Sequence, residues 1–230
     1  MTCQKNISTY ISGLAVSLLL LFASAPASRA QNRLFSIEKD SVPLFNGFAL
    51  SFDLVGPVMQ AMSDYGDYEA ALRINLHDQY FPIFEMGYGR ADRADEVTGI
   101  RYKTGAPFFR IGCDLNLLRN KHAPNRLYGG IRYAFTTYNV DIARPGITDP
   151  VWGNDASFSI DGDGCNQHWM EVVFGLDAKV WGPLHMGWVF RYKRRIVHKD
   201  TSIGNTWYVP GFGIYGDTRL GATFNVIVDI

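Results

Sequence analysis

The sequence predicts an all-β fold, an eight-stranded antiparallel up-and-down transmembrane β-barrel with short periplasmic turns and long external loops. Three observations lead to this prediction. Apolar residues alternate with polar residues or glycine along eight short runs, and the connections between these runs alternate between long and short. The polar register of the runs also contains as many acidic as basic residues. A period of two places successive side chains on opposite faces of a strand, so each run predicts a strand with one apolar face.

Residues 1–30 have the pattern of a secretory signal peptide. Lys5 precedes an apolar run over residues 11–23, and small residues follow this run; a basic start, an apolar middle and a small-residue cleavage site are the three parts of such a peptide. The run is shorter than the ~20 apolar residues of a spanning helix, so we expect it to be removed. Residues 31–46 show no period and predict an N-terminal lead-in, and the barrel is expected over residues 47–230.

Four alternating runs in the first half of the chain predict strands over about residues 47–55, 68–76, 80–89 and 107–118. Their apolar positions are, run by run, Phe48, Leu50, Phe52 and Leu54; Ala70, Leu72, Ile74 and Leu76; Pro82, Phe84, Met86 and Tyr88; and Phe109, Ile111, Cys113, Leu115 and Leu117. Gly56-Pro57 predicts that a loop follows the first strand. Pro82 makes the start of the third strand its weakest part, because proline cannot donate a ladder hydrogen bond.

Four further runs predict strands over about residues 127–139, 169–181, 184–193 and 218–230. Their apolar positions are, run by run, Leu127, Ile131, Tyr133 and Phe135; Met170, Val172, Phe174, Leu176, Ala178 and Val180; Leu184, Met186, Trp188, Phe190 and Tyr192; and Leu220, Ala222, Phe224, Val226 and Val228. Gly182-Pro183 joins the sixth and seventh strands in a tight hairpin. The gaps at residues 140–166 and 194–217 contain many turn-forming residues and predict loops.

The apolar side chains of the strands could face either the inside or the outside of the protein. In a soluble sandwich or a lipocalin-like barrel they face a core, whereas in a membrane barrel they face lipid. The predicted connections span about 11, 3, 17, 8, 27, 3 and 24 residues, and outer-membrane barrels show this alternation of long external loops and short periplasmic turns. An even strand count also lets the last strand pair with the first, which removes the sheet edges that hydrocarbon does not tolerate. We therefore expect a protein of the Gram-negative outer membrane.

The second register combines charge with glycine and predicts a filled lumen. A barrel of eight strands has an interior just wide enough for side chains, and an unpaired buried charge costs several kcal/mol. Balanced charges and small residues suit such an interior, so we expect a salt-bridged plug instead of a pore. The predicted lumen charge network consists of Asp53, Glu69, Arg73, Glu85, Arg110, Asp114, Arg132, Glu171, Asp177, Lys179, Arg191, Lys193, Arg219 and Asp229.

Catalytic, cofactor-binding and metal-binding residues are not expected. His185 could serve a lipid-modifying enzyme, but such chemistry needs a serine and an acid beside the histidine, and no Ser-His spacing in the sequence specifies this. Asn154, Asp155, Asp161 and Asp163 could bind calcium through oxygen ligands. They lack the spacing of a calcium loop, so a solvated turn is the preferred interpretation. A narrow channel stays as a third alternative.

The charge of the chain argues against nucleic acid as a partner. Lys and Arg number 22, as do Asp and Glu, and a nucleic-acid-binding domain normally has a basic excess. Residues 193–195 and Lys199 form a basic run that could contact lipopolysaccharide phosphates or simply extend to the membrane edge. We expect a monomer with outer-membrane lipid, including lipopolysaccharide, and an envelope protein as candidate partners. The expected mature part contains Cys113 and Cys165, and their pairing stays open.

Three segments, residues 107–112, 169–193 and 208–213, resemble a family of small outer-membrane β-barrel proteins from the Bacteroidota. The resemblance covers nearly all of the expected mature chain and implies the architecture of OmpA/OmpX-type barrels. It brings no catalytic positions to carry over. The sequence thus predicts an integral outer-membrane barrel with a side-chain-filled lumen and a structural role, or an interaction with the envelope through its external loops.

Overall fold

The computed structural model describes residues 43–148, 151–153, 155–199, 201 and 204–230. The predicted signal peptide and all but the last four residues of the predicted lead-in lie outside these ranges. Within them, no helix is both long enough and apolar enough to cross a membrane.

The described residues form ten strands and one helix. In chain order these are β1 Phe45–Asp53, α1 Val55–Met62, β2 Tyr65–Leu76, β3 Tyr80–Ala94, β4 Arg101–Asn116, β5 Arg126–Thr148, β6 Asp155–Trp181, β7 Leu184–Lys199, β8 Tyr208–Val209, β9 Gly213–Ile214 and β10 Thr218–Asp229. Eight of the strands close into an antiparallel barrel in the order β1-β10-β7-β6-β5-β4-β3-β2, and β8 and β9 form a separate hairpin. The predicted all-β fold and the predicted eight-stranded barrel are therefore confirmed.

The two ends of the barrel differ. At one end, called the turn end, residues 77–79, 117–125 and 182–183 connect the strands. At the other, called the hairpin end, β3 pairs with β4 as far as Ala94 and Arg101, and β5 pairs with β6 as far as Thr148 and Asp155. The loops predicted over 90–106 and 140–166 are thus mostly strand, and the connections there span only 95–100 and 149–154.

The strands continue beyond their predicted ends, and in this continuation the hydrophobic pattern is inverted. On β5, Ile131 faces outward and Arg132 inward, but further along Val140 is fully buried and Asp141 is exposed. The same change occurs on β4, where Ile111 is exposed and Tyr102 buried. Toward the hairpin end the inside is therefore apolar and the outside polar. The predicted strands are too short, because the apolar residues move from the outward to the inward positions while the alternation itself continues.

The predicted loop after β1 is wrong, because α1 occupies residues 55–62. Asp53 accepts hydrogen bonds from the N–H groups of Val55 at 3.0 Å and Gly56 at 2.7 Å, which are donors that have no partner within a helix. Pro57 is compatible with the first helical turn because its missing N–H is not needed there. A Cβ on Gly56 would lie 1.9 Å from the Asp67 carbonyl oxygen, so this glycine allows α1 to pack directly on β2.

The predicted acidic turn is also wrong, because Asp161 and Asp163 lie within β6. Gly162 has φ +69° and donates its N–H to Asp141 at 2.8 Å, beside a register shift between β5 and β6. The two residues are thus part of an irregular strand. Asn154 lies outside the described residues.

The interior has two tiers, with a charged tier toward the turn end and an apolar tier toward the hairpin end. The charged tier is described with the candidate site. The apolar tier consists of Ala91, Tyr102, Ala106, Phe108, Ala134, Tyr138, Val140, Ile142, Cys165, Trp169, Tyr208, Val209 and Phe212. Cys113 is exposed on the outer face of the wall whereas Cys165 is buried inside, so no disulfide joins them.

Outside the charged tier, the barrel carries exposed apolar side chains on every strand. This set, called the belt, includes Phe48, Leu50, Phe52, Leu72, Phe84, Met86, Ile111, Leu115, Ile131, Tyr133, Met170, Val172, Phe174, Leu176, Val180, Trp188, Phe190, Tyr192 and Leu220. The apolar register of the sequence therefore faces outward.

Candidate functional site

Three arginines converge on one carboxylate in the middle of the charged tier. Glu85 on β3 contacts the guanidinium groups of Arg132, of Arg191 at 2.9 Å and of Arg110 at 3.1 Å. All four side chains are at most 2% exposed. Burial makes each charge costly to leave unpaired, so the three strands β4, β5 and β7 are tied to β3 through this carboxylate.

Two further carboxylates balance the arginines. Glu69 on β2 lies 2.5 Å from Arg110 and also contacts Arg191. Glu171 on β6 lies 3.0 Å from Nε of Arg110 and accepts a 2.7 Å hydrogen bond from the indole of Trp169. The cluster thus links six strands of the ring, β2 to β7, by charge as well as by backbone ladders.

A second group of ions lies nearer the turn end. Arg73 lies 2.6 Å from Asp177 and 3.6 Å from Asp114, and its guanidinium carbon lies 4.4 Å from the ring centre of Tyr128. Tyr128 donates a hydrogen bond of 3.2 Å to Asp177. Arg132 reaches Asp114 at 3.0 Å while also contacting Glu85, so the two groups form one network.

The structure brings together nine of the fourteen residues predicted for the lumen. They are Glu69, Arg73, Glu85, Arg110, Asp114, Arg132, Glu171, Asp177 and Arg191. The ammonium of a tenth, Lys193, is buried among them but donates to the carbonyls of Gly211 at 2.7 Å and Phe212 at 3.3 Å.

The other four predicted residues lie outside this network. Asp53 holds the start of α1, and Arg219 donates to the Ile214 carbonyl at 2.7 Å. Lys179 is exposed near the turn end. Asp229 contacts Arg126 at 2.5 Å and His185 at 3.4 Å at the same end. Period two identifies the face of a strand but not the height along it, and these four lie near strand ends.

The basic run does not form one patch. Lys193 faces the interior, Arg194 faces outward and Arg195 pairs with Asp217. Arg195 also lies 4.5 Å from the ring centre of Tyr215. The predicted cluster of adjacent cations therefore does not share one surface, and alternation along the strand separates Arg194 from Lys193.

A loop segment that fills the hairpin end of the barrel, called the plug from here on, was not predicted from the sequence. Residues 208–213 form this plug: Tyr208, Val209 and Phe212 are buried in the apolar tier, and the hydroxyl of Tyr208 donates to Asp67. Arg110 donates to the carbonyl of Gly211 at 2.9 Å, which joins the plug to the charged tier. The signal was apolar residues inside a loop, since Tyr, Val and Phe are rarely left in solvated turns.

Gly211 is required at the tip of this plug. Its φ of +76° lies in the left-handed region, and a Cβ there would lie 2.4 Å from the ring of Phe108. Glycine alone avoids both the strain and the clash.

A polar cluster surrounds Asp78 at the turn end. Its carboxylate accepts hydrogen bonds from Asn75 at 2.6 Å and Asn46 at 2.8 Å and lies 2.7 Å from Nδ1 of His122. Burial by itself raises the pKa of Asp78, but the contacts with His122, Asn75 and Asn46 outweigh it and hold this pKa below its ordinary value. Within the described ranges, no group of three or more His, Cys, Asp and Glu residues is arranged to bind a metal ion.

The solved structures to which this chain is similar include two bacterial proteins. Neisserial surface protein A is 12% identical with a TM-score of 0.44, and the alignment covers 81% of this chain and 99% of that one. The attachment invasion locus protein Ail of Yersinia pestis, solved with the heparin analogue sucrose octasulfate, is 10% identical with a TM-score of 0.36, covering 80% and 93%.

The family to which the chain belongs comes from a separate comparison. No curated protein matches the sequence. A family model described as "Domain of unknown function (DUF6048)" matches residues 7–229. Nothing in these matches names the Bacteroidota, so that part of the predicted resemblance stays a prediction. Since the match extends over nearly the whole sequence, the chain belongs to the DUF6048 family.

Proposed function

We propose that the protein is an integral outer-membrane β-barrel with a sealed lumen, and that it acts structurally or through contacts made at its hairpin end. The observation that supports this is the inverted burial of its middle section. Ile111 and Phe190 are 59% and 55% exposed on the outside, whereas the side chains of Arg110 and Glu171 are 1% and 0% exposed inside. A soluble monomer rarely exposes an apolar patch larger than a few hundred Å².

The height of the belt supports the same proposal. On β6 the outward apolar positions run from Met170 to Val180. Ten residue steps of ~3.3 Å, tilted by roughly 40°, span about 25 Å, which is the height of the apolar band of an outer-membrane barrel. Beyond it, the exposed positions on the neighbouring strands include Lys103, Asn139 and Asp141, as expected for a surface in water.

The two tiers support a sealed barrel. Ions of opposite charge tie six strands together across the lumen, and the plug segment 208–213 fills the hairpin end with Tyr208, Val209 and Phe212. An ion that entered would have to separate buried pairs, each of which costs about 3–5 kcal/mol to break. We therefore favour a filled lumen over a narrow channel.

The surroundings of His185 support a role that is not enzymatic. Ser51 pairs with Ile227, which pairs with His185, so the serine lies two strands from the histidine. At ~4.8 Å per strand this separation is about 10 Å, well beyond the ~3 Å of a Ser-His hydrogen bond. Asp229, the acid beside His185, also holds Arg126. We propose that His185 contributes to the packing of the turn end.

Membrane insertion can be tested with the purified mature chain. Mixed with lipid vesicles, the protein should float with them on a density gradient and should migrate differently on a gel before and after heating. Planar-bilayer recordings should show no stable conductance. A chain that dissolves without detergent and does not float would contradict the membrane proposal, whereas stable single-channel steps would contradict the sealed lumen alone.

A further inference from the structure

One seam of the barrel wall is closed over only part of its height. β1 ends at Asp53, whereas its neighbours β10 and β2 continue toward the hairpin end as far as Thr218 and Tyr65. The β1–β10 ladder covers only residues 49–53 of β1. The last hydrogen bonds across it join Leu54 N–H to the Phe224 carbonyl at 2.9 Å and Phe224 N–H to Asp53 at 3.2 Å.

Beyond Phe224, toward the hairpin end, no strand of the described residues pairs with this edge of β10. Backbone groups in an antiparallel strand point alternately to one side and the other. Phe224 makes both its bonds toward β1, so the N–H and C=O groups of Ala222 and Leu220 face the same side, where β1 has already ended. In hydrocarbon each unsatisfied backbone group costs several kcal/mol. These groups therefore favour a polar occupant.

Helix α1 covers only one side of this gap. It packs on β2, where a Cβ on Gly66 would lie 2.5 Å from the backbone nitrogen of Gln60. Between α1 and β10 lies a cavity of about 300 Å³. Its lining includes Met59 of the helix, residues 219–223 of β10 and Lys193 of the interior. The cavity thus leads from the outer surface of the wall to the charged interior.

Two cationic groups of the cavity form no ion pair with a carboxylate within the described part of the chain. Lys193 donates to the carbonyls of Gly211 and Phe212, and Arg219 donates to the carbonyl of Ile214. The hydroxyl oxygen of Thr223 is buried there, and none of the residues that the structure describes forms a hydrogen bond with it.

The carboxylates that line the cavity already have donors. Asp53 accepts from the start of α1, Asp67 from Tyr208, and Glu69 from Arg110 and Arg191. The lining as a whole contains these three carboxylates and four cations, so it has one positive charge in excess and suits an anion; the cations are Arg110, Arg191, Lys193 and Arg219.

An apolar groove of about 500 Å³ adjoins the cavity on the outer face of the belt. Phe174, Phe190 and Tyr192 line the groove, and it shares residues 220–222 of β10 with the cavity. Gly221 and Ala222 are small residues, so the part of β10 that separates the groove from the cavity is thin. An apolar surface and a cationic cavity therefore meet across a single strand edge.

We propose that this seam binds a membrane lipid through an anionic, phosphate-bearing headgroup placed beside Lys193 and Arg219, with an acyl chain along the groove. The proposal rests on the proposed membrane location. The cavity is at the small end of ligand sites, which span ~300–1,000 Å³, so it suits a headgroup and not a whole lipid. A peptide strand is disfavoured, because only Leu220 and Ala222 offer free backbone groups before β10 ends.

The test uses the mature barrel in nanodiscs of phosphatidylcholine and phosphatidylglycerol at a 4:1 ratio, with native mass spectrometry to count the lipids that stay bound. We expect one retained phosphatidylglycerol per barrel, enriched about tenfold over its share of the bilayer. Arg219→Gln should reduce the enrichment severalfold, and Ala222→Trp, which fills the seam from outside, should remove it. Lys179→Gln, which removes an exposed cation at the turn end, should leave it unchanged. Heat-modifiable mobility confirms that each variant is folded.

Other outcomes would overturn the proposal. These are equal retention of both lipids, or an unchanged enrichment in Ala222→Trp. Inorganic phosphate that binds the lipid-free barrel as tightly as dihexanoyl phosphatidylglycerol would show a phosphate site that needs no acyl chain. A photoreactive residue at position 220 that crosslinks to a peptide would show strand pairing. A barrel that does not insert contradicts the membrane proposal as well, whereas one that inserts without lipid preference contradicts this inference alone.

Discussion

Replacing Glu85 by glutamine should destabilise the barrel more than any single change on its outer surface. The buried network and Lys193 contain five cations and five carboxylates, so the neutral amide leaves one cation in excess. Three guanidinium groups lose a shared partner in a site that is at most 2% exposed. Removal of one member of a buried ion pair costs about 3–5 kcal/mol, and we expect Glu85→Gln to lower the unfolding free energy by that amount.

The measurement is urea unfolding in detergent, followed by tryptophan fluorescence, with refolding from urea to establish reversibility. Asp95→Asn is the matched control. Asp95 lies in an exposed connection and accepts the local N–H groups of Val97 and Thr98, so its replacement should change stability by less than about 1 kcal/mol. The double change Glu85→Gln with Arg132→Met restores the charge balance and should recover part of the loss. A loss below about 1 kcal/mol for Glu85→Gln would refute the view that these charges are mutually dependent.

Three more predictions follow from the plug, the turn end and the belt. Gly211→Ala should displace the plug, because a Cβ clashes with Phe108 at φ +76°, and should make the segment cleavable by added protease while the wild type stays intact. Because the pKa of Asp78 is lowered in the folded protein, its contribution to stability is present above the unfolded pKa of ~3.9 and is lost as pH falls through the folded value. Asp78→Asn should therefore flatten this part of a curve of unfolding free energy against pH. A curve that does not change would contradict this prediction. Phe190→Arg should weaken insertion into vesicles by about 2–4 kcal/mol if it lies near the bilayer centre, and equal flotation of variant and wild type would argue against the belt.

The sequence was sufficient for the barrel because its middle section has one constant pattern. Ile111, Ile131 and Phe190 alternate with Arg110, Arg132 and Arg191, so strand number, facing and much of the charged tier could be predicted. In the proposed membrane, lipid outside and a narrow lumen inside would impose the same rule on every strand of the barrel. The nine residues that meet in the network lie within this section.

The remaining features depend on contacts that periodicity does not show. Tyr102 and Val140 are apolar residues at inward positions, where the middle section has charged residues. A prediction that keeps the apolar residues on the outward positions therefore ends the strand before it reaches them. Helix α1 depends on Asp53 accepting two backbone N–H groups. The plug depends on Arg110 and Lys193 reaching the carbonyl of Gly211 across about 100 and 18 residues of sequence. These are long-range or capping interactions, which no local window contains.

The inversion of the hydrophobic pattern has a consequence for the vertical position of the barrel. On β5 the outer face changes from Phe135 to Asn139 within four residues, and on β4 from Phe109 to Lys103 within six. In the proposed membrane, a shift of two residues, or about 5 Å, toward the turn end would bring polar groups such as Asn139 toward hydrocarbon. The opposite shift would move Phe135 and Phe109 out of lipid and into water. Mismatch costs fractions of a kcal/mol per Å. Because the apolar and polar zones meet in a narrow rim on these neighbouring strands, we expect the barrel to have one preferred depth in the proposed membrane and to resist tilting.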